Sequence, residues 1–96
     1  MSRGELLTKP LRFTGRNLAL NFATSAAGGV RVEIQDVSGK PLPGFALEDC
    51  APLFGDALER TVTWARGGDV GAIAGRPVRL RFGLQDADVY AFQFRK

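Results

Sequence analysis

An all-β, antiparallel fold of the β-sandwich kind, jelly-roll or Ig-like, with about five to seven short strands, is what this sequence predicts. Three observations predict it. Apolar and polar residues alternate with period two over most of the chain, the mark of half-buried strands. Clusters of Gly, Pro, Asp and Ser punctuate that alternation at short intervals. A chain of 96 residues, 45% of them hydrophobic, has enough apolar surface for one core and one domain, 1–96. An OB-type barrel is the other arrangement the pattern admits.

Each element follows from its residues. Leu11 and Phe13 share a face and lead to a turn at Thr14-Gly15-Arg16. Leu18, Leu20 and Phe22 then face the core, and "SAAGG" reads as a second turn. Val30, Val32 and Ile34 point inward from the next strand, with Arg31, Glu33 and Gln35 outward. "VSGKPLPG" breaks the strand, since prolines cannot donate to a ladder. Phe45 and Leu47 suggest a short strand, "CAPLFGD" a loop with apolar anchors, and "ERTVTW" a strand burying Val62 and Trp64. Asp69 is placed to cap one helical turn over residues 70–74, closed by Gly75. Pro77 starts a strand with Val78, Leu80 and Phe82 inward and Arg79 and Arg81 outward. After the acidic hinge "GLQDAD", Tyr90, Phe92 and Phe94 alternate toward the core.

Composition narrows the function. There is no histidine, which removes the commonest general base and metal ligand and every Ser-His or Cys-His pairing. The single cysteine, Cys50, excludes an intrachain disulfide and reads as a buried, inert thiol. The thirteen Lys and Arg are spread along the chain among acidic residues, with a net charge of only +3, so no nucleic-acid partner is expected. No run approaches a membrane span, and no membrane partner is expected. The start "MSRGE", running straight toward the first strand, reads as the edge of a trimmed unit.

The run from "LRFTGRNLALNFATSAAGGVRVEIQD" through "GDALERTVTW" to "GRPVRLRFGLQDADVYAFQF" resembles a C-terminal β-sandwich module. That module closes bacterial glycoside-hydrolase-like proteins whose catalytic domain is a β-propeller of the fructosidase, arabinosidase or sialidase kind. The resemblance implies a non-catalytic accessory domain of a larger polypeptide. Its partner would be the catalytic domain, with possible contact to a glycan, and its location extracellular or periplasmic if the parent is secreted. A stand-alone sandwich that self-associates or binds a protein through an Arg-rich face is the alternative.

Candidate sites are few. A glycosidase needs two carboxyls across a cleft. Asp86 with Asp88, and Glu48 with Asp49, are the available pairs, and the first reads better as hinge residues bonding turn amides. No catalytic residue is therefore expected. Asp36, Asp69, Asp86 and Asp88 sit at strand ends where a structural calcium is conceivable, but no loop carries a D-x-D-x-D-G pattern to place it. For sugar contact the candidates are Trp64, Arg66 and Asp69 around "ARGGD", although alternation turns Trp64 toward the core. For docking, Arg31, Glu33, Arg79 and Arg81 occupy outward phases that cross-strand pairing would bring onto one face.

Overall fold

A computed structural model describes residues 3–96, the side chains of Arg3 and Leu58 excepted. Met1 and Ser2, the start of the expected trimmed edge, lie outside the described residues. The chain is all-β and antiparallel. Strands β1 (Arg3–Leu7), β2 (Asn17–Gln35), β3 (Asp56–Thr61) and β4 (Arg79–Arg95) form a sheet ordered β1-β4-β2-β3.

The two breaks expected at "SAAGG" and "GLQDAD" do not separate strands. They lie opposite each other inside one long antiparallel ribbon of β2 and β4. Thr24 pairs with Ala87 and Gly29 with Gln85, so residues 25–28 bulge from β2 where Asp86 takes a positive φ of 45° on β4. Gly28 is required there: a β-carbon would stand 2.4 Å from the Gln85 carbonyl oxygen and 2.6 Å from that of Asp86. Paired bulges bend a ribbon instead of ending it.

The bend folds the ribbon over. Ten residues of straight strand span roughly 33 Å, yet the rings of Phe82 and Phe92 lie 5.7 Å apart. The two halves of β4 therefore face each other across a single core. Leu18, Leu20 and Phe22 come from one half of the ribbon and Val30, Val32, Ile34, Leu80 and Phe82 from the other. β3 extends the first half through Ala19–Ala23, and β1 extends the second through Arg81–Gln85.

A second bulge changes the phase near the end of β4. Asn21 pairs with Ala91 but Phe22 with Val89, which skips Tyr90. Val89 packs on the core, while Tyr90, expected inward, is 64% exposed. Phe92, also expected inward, is 37% exposed and meets the core only at its margin, against Phe82, whereas Phe94 stacks on Phe13 with centroids 3.9 Å apart.

Other expectations shift for local reasons. Leu11 makes one bridge, to Val78, and the first strand lies earlier, at Arg3–Leu7. Pro10 lacks the N–H that would continue a ladder through Leu11. Instead of a strand at Phe45–Leu47 there is a 3₁₀ turn, Leu47–Asp49, preceded by a buried Phe45. The turn expected at 70–74 is a 3₁₀ turn at Gly71–Ile73, leaving through Gly75 at φ +85°. Its cap position is Val70 and not Asp69, yet Asp69 Oδ1 still accepts the Gly71 N–H at 2.8 Å.

Among the described residues the outer edge of β2 beyond the bulge has no partner strand, and loops supply its hydrogen bonds. Val30 exchanges both backbone bonds with Leu53, and Ile34 donates to Phe45 and accepts from Leu42. Between them, Val32 N–H donates to Cys50 Sγ at 3.3 Å, and Val32 carbonyl accepts from Trp64 Nε1 at 2.8 Å. Two side chains stand in for a strand.

Candidate ligand groove

On the outer face of the ribbon the register builds rows across three strands. Leu7, Arg81 and Glu33 form one row, and Glu5, Gly83 and Arg31 the next. Opposite charges placed in adjacent rows pair across strands. Arg81 Nε donates to Glu5 at 2.6 Å, and its guanidinium reaches Glu33 Oε2 at 3.3 Å. Arg81 is thus held between two carboxylates.

Glu33 departs from the expected outward face: it is 3% exposed. The 3₁₀ turn at Leu47–Asp49 covers it, with Leu47 N–H donating to Oε1 at 3.1 Å and Gln35 Nε2 to Oε2 at 2.7 Å. Burial pushes its carboxyl up, but the bonds from Gln35, Leu47 and Arg81 outweigh this and hold it below the ordinary value. Glu33 is therefore an internal anchor for the loop. Arg79 is half-buried, its Nε without a hydrogen-bond partner among the described residues. Of the four residues expected to form a docking face, only Arg31 is exposed.

Arg31 borders a groove of about 620 Å³. Gly83, with no side chain, makes room in the central row for Leu47, which comes to 3.1 Å from where the glycine's β-carbon would be. Gly29 lets the ring of Phe54 come to 3.4 Å from where its own β-carbon would be. Glycine on strands thus lets loop side chains approach and build walls above a flat floor. Phe54 itself is 57% exposed, an unusual placement for a large aromatic. Glu5 stands on the opposite rim, already engaged by Arg81.

The residues expected around "ARGGD" do not assemble into such a site. Trp64 is 3% exposed, its indole committed to Val32 and its ring edge-on to Phe45 at 5.2 Å, so it offers no face to a sugar. Arg66 lays its guanidinium over Phe45, 4.8 Å from the centroid. Asp69 borders a separate recess with Arg16 and Lys96.

No three His, Cys, Asp or Glu gather to hold a metal among the described residues. Asp36 spends one oxygen on its own turn, accepting from Ser38 and Lys40, whose bonds hold its carboxyl low. Glu59 on β3 pairs with Arg95 and Gln93 of β4, reaching over the intervening β2, and the Arg95 bond leads in lowering its carboxyl. Cys50 is buried, which raises its thiol away from reactivity. Among the described residues no helix is long and apolar enough to cross a membrane.

Sequence reasoning missed Phe54, Leu47, Gly83 and Glu5. One signal was present: Gly83 interrupts "RLRFGLQD", and a glycine inside a strand marks a close approach. Comparison with protein-family models, curated proteins and solved structures returns no match.

Proposed function

We propose that this chain is a non-catalytic accessory module of a carbohydrate-active protein, and that it holds sugar in the groove beside Phe54. The observation that carries this reading is the groove itself, an open cleft of about 620 Å³ with an exposed aromatic wall, a glycine floor and a charged rim. Ligand sites are typically concave, of roughly 300–1,000 Å³, mainly apolar with a few polar groups for orientation. A pyranose ring lays its apolar face on such an aromatic wall while its hydroxyls meet the rim. The acidic groups that line or neighbour the cleft, Glu5 and Glu33, are tied to Arg81, an arrangement that suits binding better than proton transfer.

The test is a titration of the labelled chain with neutral and acidic oligosaccharides, followed by amide chemical shifts. Shifts confined to Gly28, Gly29, Leu47, Phe54 and Gly83, lost in Phe54→Ala, are expected. Absence of any shift across the panel overturns the sugar reading. An immunoblot of source cells and medium addresses the accessory role, which requires a band far heavier than the domain. A band at the domain's own mass favours the stand-alone alternative, with Arg31 as the remaining exposed cation of its Arg-rich face.

A further inference from the structure

Resting on that reading, we infer that the groove selects sugars bearing a carboxylate, a uronate ring whose acid group is taken by Arg31 while Phe54 supports the ring. Charge is the first argument. Arg81 and Arg95 each have a carboxylate partner in the sheet, Glu5 and Glu33 for one and Glu59 for the other. Arg31 enters no ion pair among the described residues, although it stands on the groove's rim in the same cross-strand row as Glu5. Gly83 lies between them, and Arg81 has already drawn Glu5 away. The carboxylate in Arg31's own row is spent on Arg81, so the rim that Arg31 presents to a ligand is cationic. A planar guanidinium with two parallel N–H donors matches a carboxylate better than it matches a hydroxyl.

The floor argues for a ring over an extended peptide. Peptides that bind sheets usually add a strand to an open edge. Here the floor is β4, paired on one side with β1 and on the other with β2, so its backbone groups are already occupied. What the groove offers is glycine backbone bordered by the side chains of Phe54 and Leu47, and one unpaired cation.

Calorimetry on the whole chain at near-physiological salt tests this with trigalacturonate, triglucuronate and their carboxyl-reduced counterparts, in which each acid becomes a primary alcohol. At least one uronate should bind about tenfold more tightly than its reduced form. Arg31→Gln should abolish that preference, Arg31→Lys should keep part of it, and Phe54→Ala should weaken both forms alike. Arg66→Gln, at a residue that does not line the groove, should leave the preference intact. Equal binding of acid and reduced forms overturns the selectivity and leaves the sugar reading standing. Binding of neither form overturns both. A preference that survives Arg31→Gln, or falls equally in Arg66→Gln, means another cation or the overall charge is responsible, and overturns the role of Arg31. Tighter capture of an acidic peptide than of either uronate reassigns the groove to a peptide.

Discussion

The indole Nε1 of Trp64 donates to the carbonyl oxygen of Val32 at 2.8 Å, while Val32's own N–H donates to Cys50 Sγ. One backbone unit on an otherwise open stretch of β2 is thereby satisfied by two side chains from two loops. A buried backbone group left without a partner costs about 1–3 kcal/mol. Trp64→Phe keeps most of the ring but orphans the Val32 carbonyl, and should lower stability by about 2 kcal/mol. Urea denaturation measures the loss. An unchanged midpoint would mean that water replaces the indole.

Cys50 should be unreactive as long as the chain is folded. Burial raises its thiol, the opposite of what a nucleophile needs. Ellman's reagent should label it only in denaturant. Labelling of the native chain at mildly alkaline pH, at the rate of a free thiol, would contradict the burial.

Gly28→Ala should be among the most damaging single-methyl additions. The methyl would stand 2.4 Å from the Gln85 carbonyl oxygen, and backbone on both strands would have to separate. A loss of about 2–3 kcal/mol is expected, in the range of overpacked sites. Gly4→Ala, whose methyl meets nothing within 4 Å, serves as the control and should change stability by less than about 0.5 kcal/mol.

Acid should destabilise the fold, and Glu33 should contribute visibly. Its folded carboxyl titrates below the ordinary value, as do those of Glu59 and Asp36. A depressed folded value means the stabilisation is complete above the unfolded carboxylate range, about 4. It is lost as pH falls through the folded values. Glu33→Gln keeps an acceptor for Leu47 N–H and removes the titration, so its stability should fall less steeply with acid. Parallel curves for the two proteins, measured by denaturant midpoint against pH, would rule out this contribution.

Asp86 holds φ at 45°, a region that Asn and Gly tolerate and β-branched residues do not. Asp86→Asn should shift the melting temperature little, whereas Asp86→Val should cost about 1–3 kcal/mol. Equal effects from the two would show that the hinge depends on the side chain and not on its backbone angle.

The class of fold was legible because alternation is a direct print of a sheet with one buried face. Leu18, Leu20, Phe22, Val30, Val32, Ile34, Val78, Leu80 and Phe82 all lie where the alternation puts them. Continuity was not legible. "SAAGG" and "GLQDAD" have the composition of turns, and only their placement opposite each other makes them a bend in one ribbon. Tyr90 was misread because a single skipped pair reverses the phase, and nothing local announces it. Glu33 was misread because alternation cannot foresee a loop folding over the polar face. The groove escaped for the same reason: Phe54 belongs to a loop, where period two has no meaning, and its surroundings come from distant glycines.

The long ribbon also fixes when folding can finish. β2 is complete by residue 35, but its central partner runs from Arg79 to Arg95, with Asn17 waiting for Arg95 itself. During synthesis β2 can pair with β3 and its loops, but its β4-facing edge must stay open until β4 has left the ribosome, exposing unpaired backbone groups in the meantime. Pairings of such sequence separation close slowly, on the order of milliseconds to seconds. A nascent chain halted before Arg79 is a β-edge without its partner, and its hazard is aggregation.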